Sequence, residues 1–389
     1  MNSKERILTT LNHQEPDRIP YDLAGTTVTA ITRNAYLRAM KMRGLSEIIG
    51  DDQIDPIQQI ITPCNENLAF LKSDTRRIGA QRITGYDQNK RVNGNIIEVT
   101  DFYGCNWRFE QGRDLYFHMI DAPLEKAGSL SGSINTLPRP NWDLYITMLR
   151  KNLDEQIGSV GTLCGIADRN TAGFTENSLR IRGYENWFID TVVDPEGVDA
   201  LFDIILEDKI RYWDAIIDWA IESGNEQKIS VISECDDLGS QASTIIDPDT
   251  LRKTVIPRFK TIFTHVKKRL PHVKVFMHSC GAIREIIPDL IDAGLDILNP
   301  VQFTAAGMNL KDLKRDFGDV LTFWGGGVDT QSTLNNGTPQ KVADEVKQII
   351  DILAPGGGFV FAPVHNIQDD VSPENFWAMW DTLQQYGKY

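Results

Sequence analysis

The sequence predicts an α/β protein, specifically a TIM (β/α)8 barrel with an antiparallel β insertion near the N-terminal half. Short apolar segments alternate with amphipathic helical segments through the second half of the chain. This is the order in which a parallel sheet is built. Further apolar segments in the first half bring the candidate strands to eight, which is the number in this barrel.

The candidate strands are short apolar runs that end in turns or in helix start signals. In chain order they are residues 18–23, 71–76, 159–164, 229–233, 273–278, 296–299, 321–324 and 359–362. The helices predicted after the last five strands are residues 247–269, 282–293, 310–317, 338–353 and 373–385. In the fourth of these, Thr338 is the expected N-cap and Pro339 takes the first helical position.

A doubly wound open sheet is the alternative fold, but no Gly-x-Gly-x-x-Gly motif follows an early strand. We expect residues 1–389 to form a single barrel domain that contains an antiparallel insertion at residues 78–118. Residues 87–89 and 93–95 are its expected turns. A lid over the barrel and a contact in a homodimer are both compatible with this insertion.

Composition restricts the class of protein. The chain has 389 residues with a net charge of −14, and such a surface repels the phosphate backbone of nucleic acids. No apolar run approaches the roughly 20 residues that span a bilayer, and the N-terminus does not resemble a signal peptide. We therefore expect a cytoplasmic protein without a nucleic-acid or membrane partner. The five scattered cysteines suit ligands or nucleophiles better than disulfides.

A metal site is predicted from three residues that follow predicted strands. His278 and Cys280 are two residues apart at a strand end, so their side chains point to the same side. An imidazole with a thiolate suits zinc, although a core histidine beside a buried thiol is the alternative. His365 follows the last strand. Because all strands of a barrel end on one face, these three residues are expected to converge there.

The same face should carry other polar or aromatic residues. Asp236 and Asp237 follow the strand at residues 229–233, while Asn299 and Trp324 stand at the ends of two later strands. The two aspartates are candidate catalytic acids, although capping of a loop by solvated carboxylates explains them equally well.

Several segments together resemble the uroporphyrinogen decarboxylase-like superfamily, in particular its cobalamin (corrinoid)-dependent methyltransferase branch, which includes bacterial O-demethylases. The similar segments are residues 4–8 (KERIL), 15–20 (EPDRIP), 236–241 (DDLGSQ), 278–281 (HSCG), 299–302 (NPVQ), 323–327 (FWGGG) and 357–363 (GGFVFAP). They span nearly the whole chain. The resemblance implies a TIM barrel, which agrees with the strand count.

The resemblance also implies a zinc site, with one departure. Thiol methyltransferases of this family bind zinc through His-x-Cys and a later Cys, whereas the later position here is His365. One thiolate with two neutral imidazoles leaves about one positive charge on the site, which makes the metal a stronger Lewis acid. We therefore expect methyl transfer from a methoxylated, aromatic substrate. The acceptor implied by the family is a corrinoid cobalt, and the chain lacks the Asp-x-His-x-x-Gly corrinoid motif, so a separate corrinoid protein should carry it.

The expected roles of the remaining site residues follow from this reaction. Asp236 or Asp237 would donate a proton or act as the fourth zinc ligand. Substrate contacts are expected from Arg182, which can bind a carboxylate, and from Tyr184, Asn299 and Trp324. For Arg182 a salt bridge is the alternative, and for Tyr184 and Trp324 it is core packing.

Three other functions remain as alternatives. A methyl-corrinoid:thiol methyltransferase would run the later half of such a reaction. A uroporphyrinogen decarboxylase is a lyase that needs no metal, and its substrate-binding arginines have no counterpart in residues 21–26. An inactive scaffold that binds a corrinoid protein is the third, although it gives no reason for the His, Cys and Asp residues at three strand ends.

Overall fold

This computed structural model describes residues 1–55, 57–80 and 90–389, with residues 51–54 described by their backbone alone. The described strands, in chain order, are β1 Ile31–Thr32, β2 Ile49–Asp55, β3 Ile60–Pro63, β4 Thr75–Ile78, β5 Arg91–Asn93, β6 Ile96–Thr100, β7 Asn106–Glu110, β8 His118–Asp121, β9 Cys164–Ala167, β10 Ile229–Cys235, β11 Lys274–His278, β12 Ile297–Asn299, β13 Thr322–Trp324 and β14 Phe359–Val360.

The helices surround these strands. In chain order they are α1 Ser3–Leu11, α2 Arg33–Met42, α3 Asn65–Phe70, α4 Leu130–Ser133, α5 Trp142–Gln156, α6 Phe174–Arg182, α7 Tyr184–Val193, α8 Pro195–Glu222, α9 Pro248–Arg269, α10 Ile287–Asp292, α11 Leu310–Phe317, α12 Thr333–Asn336, α13 Pro339–Leu353 and α14 Pro373–Tyr386. Thr338 caps α13 through Lys341 N, as the sequence predicted. No described helix combines the length and the apolar character that a bilayer span requires.

The centre of the fold is a curled parallel sheet of seven strands in the order β4-β9-β10-β11-β12-β13-β14. Within this sheet each strand pairs with the sheet's next strand along the chain, with β5 to β8 inserted between β4 and β9. This is the order of a singly wound α/β fold and not of a doubly wound sheet. The predicted α/β class and the parallel strands of the second half are confirmed.

The two edges of this sheet are joined through the segment predicted as the first strand. Asp22 N donates to Phe361 O at 2.9 Å, and Phe361 N donates to Pro20 O at 2.8 Å. On the other side, Asp74 N donates to Tyr21 O at 2.8 Å. The segment is an isolated parallel bridge at Tyr21 and not a regular strand. This bridge lies between β14 and β4, where the sequence predicted the first strand.

Some predicted boundaries were wrong. The strand predicted at residues 159–164 begins only at Cys164, because the preceding residues form a 3-10 turn at Ile157–Ser159 and Gly161 has a left-handed φ of 49°. Likewise, the helix predicted at residues 282–293 is a 3-10 turn, Arg284–Ile286, followed by the short α10. Apolar burial is common to strands, turns and helices, so it does not locate their ends.

Helix α1 covers the amino-terminal end of the sheet. Lys4 N of this helix donates to Thr162 O, which lies just before β9. Gly358 N, just before β14, donates to Thr10 O of the helix. Ile7 and Leu11 pack in one buried cluster with residues of the sheet interior, which are Cys164, Ile166, Val231, Phe276, Ile297, Trp324, Val360 and Ala362. We refer to the opposite end, where the strands end and which α1 does not cover, as the open face of the fold.

The predicted antiparallel insertion is present as the four-stranded sheet β5-β6-β7-β8. Asn93 pairs with Ile96 across the predicted turn, while the turn predicted at residues 87–89 lies outside the described residues. The sheet rests on α6, where Cys105 Sγ donates to Arg180 O at 3.4 Å and the Arg180 guanidinium lies 5.5 Å from the Trp107 ring. Its function as a lid or a dimer contact stays a prediction.

A small antiparallel sheet, β1-β3-β2, was not predicted. Its β1 is connected to the segment after β14 by a parallel bridge between Ile31 and Ile367. Thr32 N donates to Ile367 O, and Ile367 N donates to Ala30 O. This sheet therefore fixes the segment that carries His365.

Candidate metal centre

The centre of the candidate site is His278, the last residue of β11. It pairs in register with Cys235 of β10 and Asn299 of β12. Phe276, two residues earlier, belongs to the cluster inside the sheet. Alternation along the strand therefore turns His278 inward as well, at the open face, where it is only 3% exposed.

The structure brings together the three residues that the sequence predicted as metal ligands. His278, Cys280 and His365 each offer one ligand atom, and these atoms lie within 4.8 Å of one another. His278 Nε2 is 3.4 Å from Cys280 Sγ, and the two imidazole rings are 5.8 Å apart between centroids. Within the described part of the chain this is the one such group of three.

The separation of His278 Nε2 and Cys280 Sγ fits a zinc ion. Zinc–nitrogen and zinc–sulfur bonds of about 2.0 and 2.3 Å at tetrahedral angles place the ligand atoms about 3.5 Å apart, close to the distance from His278 Nε2 to Cys280 Sγ. Three protein ligands leave the fourth position of a tetrahedral site open, as in catalytic rather than structural zinc sites.

Asn299 sets the tautomer of His278. Its Nδ2 donates to Trp324 O at 2.7 Å, so its Oδ1 must face His278 Nδ1, at 2.5 Å. An amide oxygen accepts, and therefore Nδ1 carries the proton and donates. The lone pair of Nε2 is then directed toward Cys280, which is the arrangement that a metal-binding imidazole requires.

Burial keeps all three candidate ligands uncharged in the absence of a cation. It lowers the pKa of His278 and of His365 to about 4 and raises the pKa of the Cys280 thiol well above its usual range. The neutral imidazole is the form that binds metal. The thiol has to lose its proton, so metal binding at this site should release one proton.

The loop after β11 is held in place by the segments that follow β10 and β12. Asp237 Oδ1 accepts from Cys280 N at 2.8 Å, and Gln302 Oε1 accepts from Gly281 N at 2.7 Å. Gly281 has a φ of 89°, and a Cβ there would meet the carbonyl carbon of Gly239 at 2.4 Å. Only glycine fits this crossing of two backbones, which positions the neighbouring Cys280.

His365 is positioned by the residue that follows it. Asn366 is fully buried; its Oδ1 accepts from Ala30 N at 2.7 Å, and its Nδ2 donates to Thr27 O and Gln58 Oε1. These three hydrogen-bonding partners were not recognisable from the sequence, because they come from segments more than 300 residues away.

The two candidate acids differ in their surroundings. Asp236 is buried and accepts from Thr175 N and Glu176 N at 2.9 and 3.0 Å, so it caps the first turn of α6. Burial, followed by the nearby Glu176, raises the pKa of Asp236 to about 7. Asp237 is partly exposed and its Oδ1 lies 3.7 Å from His278 Nε2. Asp237 is therefore the aspartate that faces the candidate ligands.

Sequence reasoning missed Glu176. Its charge affects the pKa values of His278, Cys280 and His365, after the larger effect of burial. Its Oε1 accepts from Arg180 Nη2 at 2.8 Å. It lies in the first turn of α6 and not at a strand end, so the available signal was an acidic residue at a helix start.

The predicted substrate contacts are placed unequally. Arg182 is buried, donating to Asp190 Oδ2 at 2.6 Å and to the carbonyls of Leu124, Ala127 and Gly128, which favours a structural role. Trp324 is fully buried, with its Nε1 donating to Asp22 Oδ2 at 2.8 Å. Asn299 contacts His278 as described. Tyr184 is 54% exposed at the start of α7.

Comparison with known proteins agrees with this architecture. The family model described as Uroporphyrinogen decarboxylase (URO-D) matches residues 146–386. A uroporphyrinogen decarboxylase of Pseudoalteromonas translucida (strain TAC 125) is 35% identical over 79 residues, which is 20% of this chain and 22% of that protein. The matched region therefore spans about a fifth of the relative.

A solved methyltransferase from Methanosarcina mazei has a similar fold. Its TM-score is 0.65, with 16% sequence identity and coverage of 99% of both chains. At this identity the likeness shows the fold alone, and it extends over the whole chain.

Proposed function

We propose that this chain, which belongs to the uroporphyrinogen decarboxylase (URO-D) family, is a zinc-dependent methyltransferase that moves a methyl group from a methoxylated, aromatic substrate to the cobalt of a separate corrinoid protein. The observation that carries the proposal is the convergence of His278, Cys280 and His365 at the open face of the sheet. Decarboxylation of a porphyrinogen needs no such ligand set.

The residues supply a site for an ether oxygen. When bound, zinc would act as a Lewis acid toward the oxygen whose methyl group leaves. Cys280 as a thiolate, with neutral His278 and His365, leaves about one net positive charge on the centre. Asn299 keeps Nε2 of His278 free of a proton, so that this nitrogen is available as a ligand.

His365 supports a methyl ether as the substrate rather than a thiol. A second thiolate at this position would nearly neutralise the centre and would favour activation of a bound thiolate. An imidazole leaves the charge in place and favours polarisation of a poor leaving group. Transfer of a methyl group from a methyl-corrinoid to a thiol is the second candidate function, because a second thiolate ligand would favour it more than His365 does.

Asp237 is the better placed of the two predicted catalytic acids. It is partly exposed and close to His278 Nε2, so it can reach either the open coordination position or the leaving oxygen. Both roles remain in the proposal. Asp236, whose two oxygens hold the start of α6, is assigned to positioning.

The corrinoid cofactor would supply a strongly nucleophilic reduced cobalt, so the chain itself need not supply a nucleophile. The chain provides the open carboxyl-terminal face, and the corrinoid protein has to dock there to reach the substrate. This partner, like zinc, is part of the proposal.

Methylation of a cobalt(I) corrinoid tests the proposal. The purified protein should contain about one zinc and should methylate cobalt(I) from methoxybenzoates, as followed by the corrinoid absorption spectrum. Cys280→Ser should lose most of the zinc and the activity. Cys64→Ser, a half-buried cysteine outside the site, should keep both.

Three results would contradict it. A protein purified without chelators that holds no metal, or that keeps its activity after chelation, overturns the zinc site. Methyl transfer only from methyl-corrinoid to a thiol establishes the second candidate. Conversion of uroporphyrinogen without metal replaces both with decarboxylation.

A further inference from the structure

We propose that helix α7 binds α7 of a second copy of the chain, so that the protein forms a two-fold symmetric dimer through this helix. Three features of α7 point to a second copy. They are an exposed apolar face, the area of that face and the order of its side chains. None of them involves the metal centre, so the dimer does not depend on the proposed function.

Most of the solvent-facing surface of α7 is apolar. The exposed apolar residues are Tyr184, Phe188, Ile189, Val192 and Val193. Their exposed fractions range from 40% for Phe188 to 81% for Val192. Residues four apart lie one above the other on a helix, so these side chains form two neighbouring ridges. Glu185, in the first turn, is the one charged residue on this face of the helix.

The opposite side of α7 fixes the helix to the rest of the fold. Trp187 is fully buried, and Asp190 Oδ2 accepts from Arg182 Nε at 2.6 Å. Asn186 Nδ2 donates to Glu125 O at 2.8 Å. These contacts hold the helix in one orientation, and its apolar side chains therefore stay turned toward solvent.

Helix α7 lies on a part of the molecule that projects beyond the strands. It leads directly into α8, whose last residue is followed by the start of β10. Lys209 and Trp213 of α8 donate to Glu234, the last residue but one of β10, at 2.6 and 2.7 Å. The α8 residues before Lys209, 195–208, therefore extend up to about 21 Å past the end of β10, at 1.5 Å per residue. A large partner can approach α7 at this position.

The area of the apolar face suits a dimer contact. Residues of these sizes have areas of roughly 150–250 Å², so the five exposed fractions amount to about 500 Å² for each copy. Monomeric proteins rarely expose a contiguous apolar patch of this size. A stable interface buries about 800 Å² on each partner. Two such faces in contact therefore supply more than half of what a stable dimer needs, and the flanking residues would supply the rest.

The order of the side chains suits a partner that is the same helix. The aromatic Tyr184 and Phe188 precede the small Val192 and Val193 along α7. In an antiparallel pair with the two-fold axis near Phe188, the large side chains of one copy meet the small ones of the other, which allows close packing.

The charge of the face also permits this pairing. Each copy carries a net charge of −14, so contact is least opposed where a surface is almost uncharged. Packing of ridges formed by residues four apart crosses two helices at about 50°. Glu185, near the end of the helix, then lies where the two helices diverge, and its carboxylate can stay in water.

Analytical ultracentrifugation of the full chain tests the proposal. The wild type should sediment as a dimer at about 10 μM, because interfaces of standard size have dissociation constants of micromolar or below. Val192→Asp should be monomeric at that concentration. Each copy would bury a carboxylate in the apolar contact, and we expect the dissociation constant to rise at least about a hundredfold.

Val320→Asp is the matched control. It makes the same change at an exposed valine that lies before β13 and outside α7, and it should leave the dimer intact. If Val192→Asp does not fold, as judged by circular dichroism, Phe188→Cys decides. Mild oxidation should join two copies of Phe188→Cys through a disulfide near the two-fold axis, whereas Val320→Cys should give no such product.

Three results would overturn the proposal. The first is a wild type that remains monomeric at about 100 μM, including one whose α7 binds a different protein. The second is a folded Val192→Asp that remains as dimeric as the wild type, which would place the contact elsewhere. The third is a dimeric Phe188→Cys that forms no disulfide between copies.

Discussion

At the scale of single residues, Asn299 shows how a neighbour can determine which nitrogen of a proposed metal ligand carries the proton. Its amide is fixed by the Trp324 carbonyl on one side and therefore presents its oxygen to His278 on the other. The proton on Nδ1 and the lone pair on Nε2 follow from that orientation. Such outer contacts of metal ligands usually affect metal affinity strongly.

Replacing Asn299 with alanine should therefore weaken zinc binding without removing a ligand. We expect Asn299→Ala to lower zinc affinity about 10- to 100-fold, measured by competition with a coloured chelator. Asn186→Ala, which removes a single contact to Glu125 O, should leave the affinity unchanged. Equal affinities of Asn299→Ala and the wild type would show that His278 does not depend on this tautomer.

Residue types and spacing identified His278, Cys280 and His365 as a group, because strand alternation and strand order are local rules. The same reasoning assigned Asn299 and Trp324 to the substrate. The structure places Asn299 against His278 and Trp324 inside the sheet, where it donates to Asp22. The partners of a buried polar group depend on which strands become neighbours.

At the scale of elements, the crossing of two loops positions Cys280. Gly239, after β10, and Gly281, after β11, approach so closely that a Cβ on Gly281 would lie 2.4 Å from the Gly239 carbonyl carbon. Neither backbone can move freely, because Ala282 N donates to Ser240 O at 2.7 Å beside this contact.

Gly281→Ala should displace the loop and weaken both folding and metal binding. Gly112→Ala is the matched control, because Gly112 has a similar φ of 83° with no atom within 4 Å of the added Cβ. In the control, the free energy of unfolding should fall only by the strain of an alanine in the left-handed backbone region, about 1–2 kcal/mol. We expect chemical denaturation to show a larger loss for Gly281→Ala, together with reduced zinc affinity that Gly112→Ala does not share. Equal losses would mean that the loops do not constrain one another.

At the scale of the whole molecule, an internal ion pair connects adjacent strands at the open face. Arg77 of β4 donates to Asp168, which follows β9, at 2.7 Å, with side-chain exposures of 5% and 0%. Burial alone would raise the pKa of Asp168, but the charges of Arg77 and Arg169 hold this pKa below its usual value.

Removing Arg77 should therefore destabilise the fold. Arg77→Gln leaves the buried Asp168 carboxylate without the charge of its main partner. We expect a loss of about 3–5 kcal/mol in the free energy of unfolding near pH 7. Arg91→Gln, which removes an exposed pair with Glu98, should cost at most about 1 kcal/mol. Urea denaturation measures both.

The pH dependence of this loss has a defined sign. Because the folded pKa of Asp168 lies below the unfolded value, the pair stabilises the protein above about pH 4, and this contribution is lost as pH falls further. In Arg77→Gln the buried carboxyl is protonated more readily. The difference between variant and wild type should therefore narrow in acid, and a difference that grows as pH falls would contradict the assignment.

The sequence by itself determined the α/β class, the parallel strands of the second half, the antiparallel insertion and the grouping of His278, Cys280 and His365. These features follow from periodicity, chain order and residue chemistry, which act over short stretches. Only the tertiary structure decided that Asp236 caps α6, that Asp237 faces the candidate ligands, and that Arg182 is internally paired. The physical reason is that burial and hydrogen-bond partners arise from segments distant in sequence, and no local pattern records them.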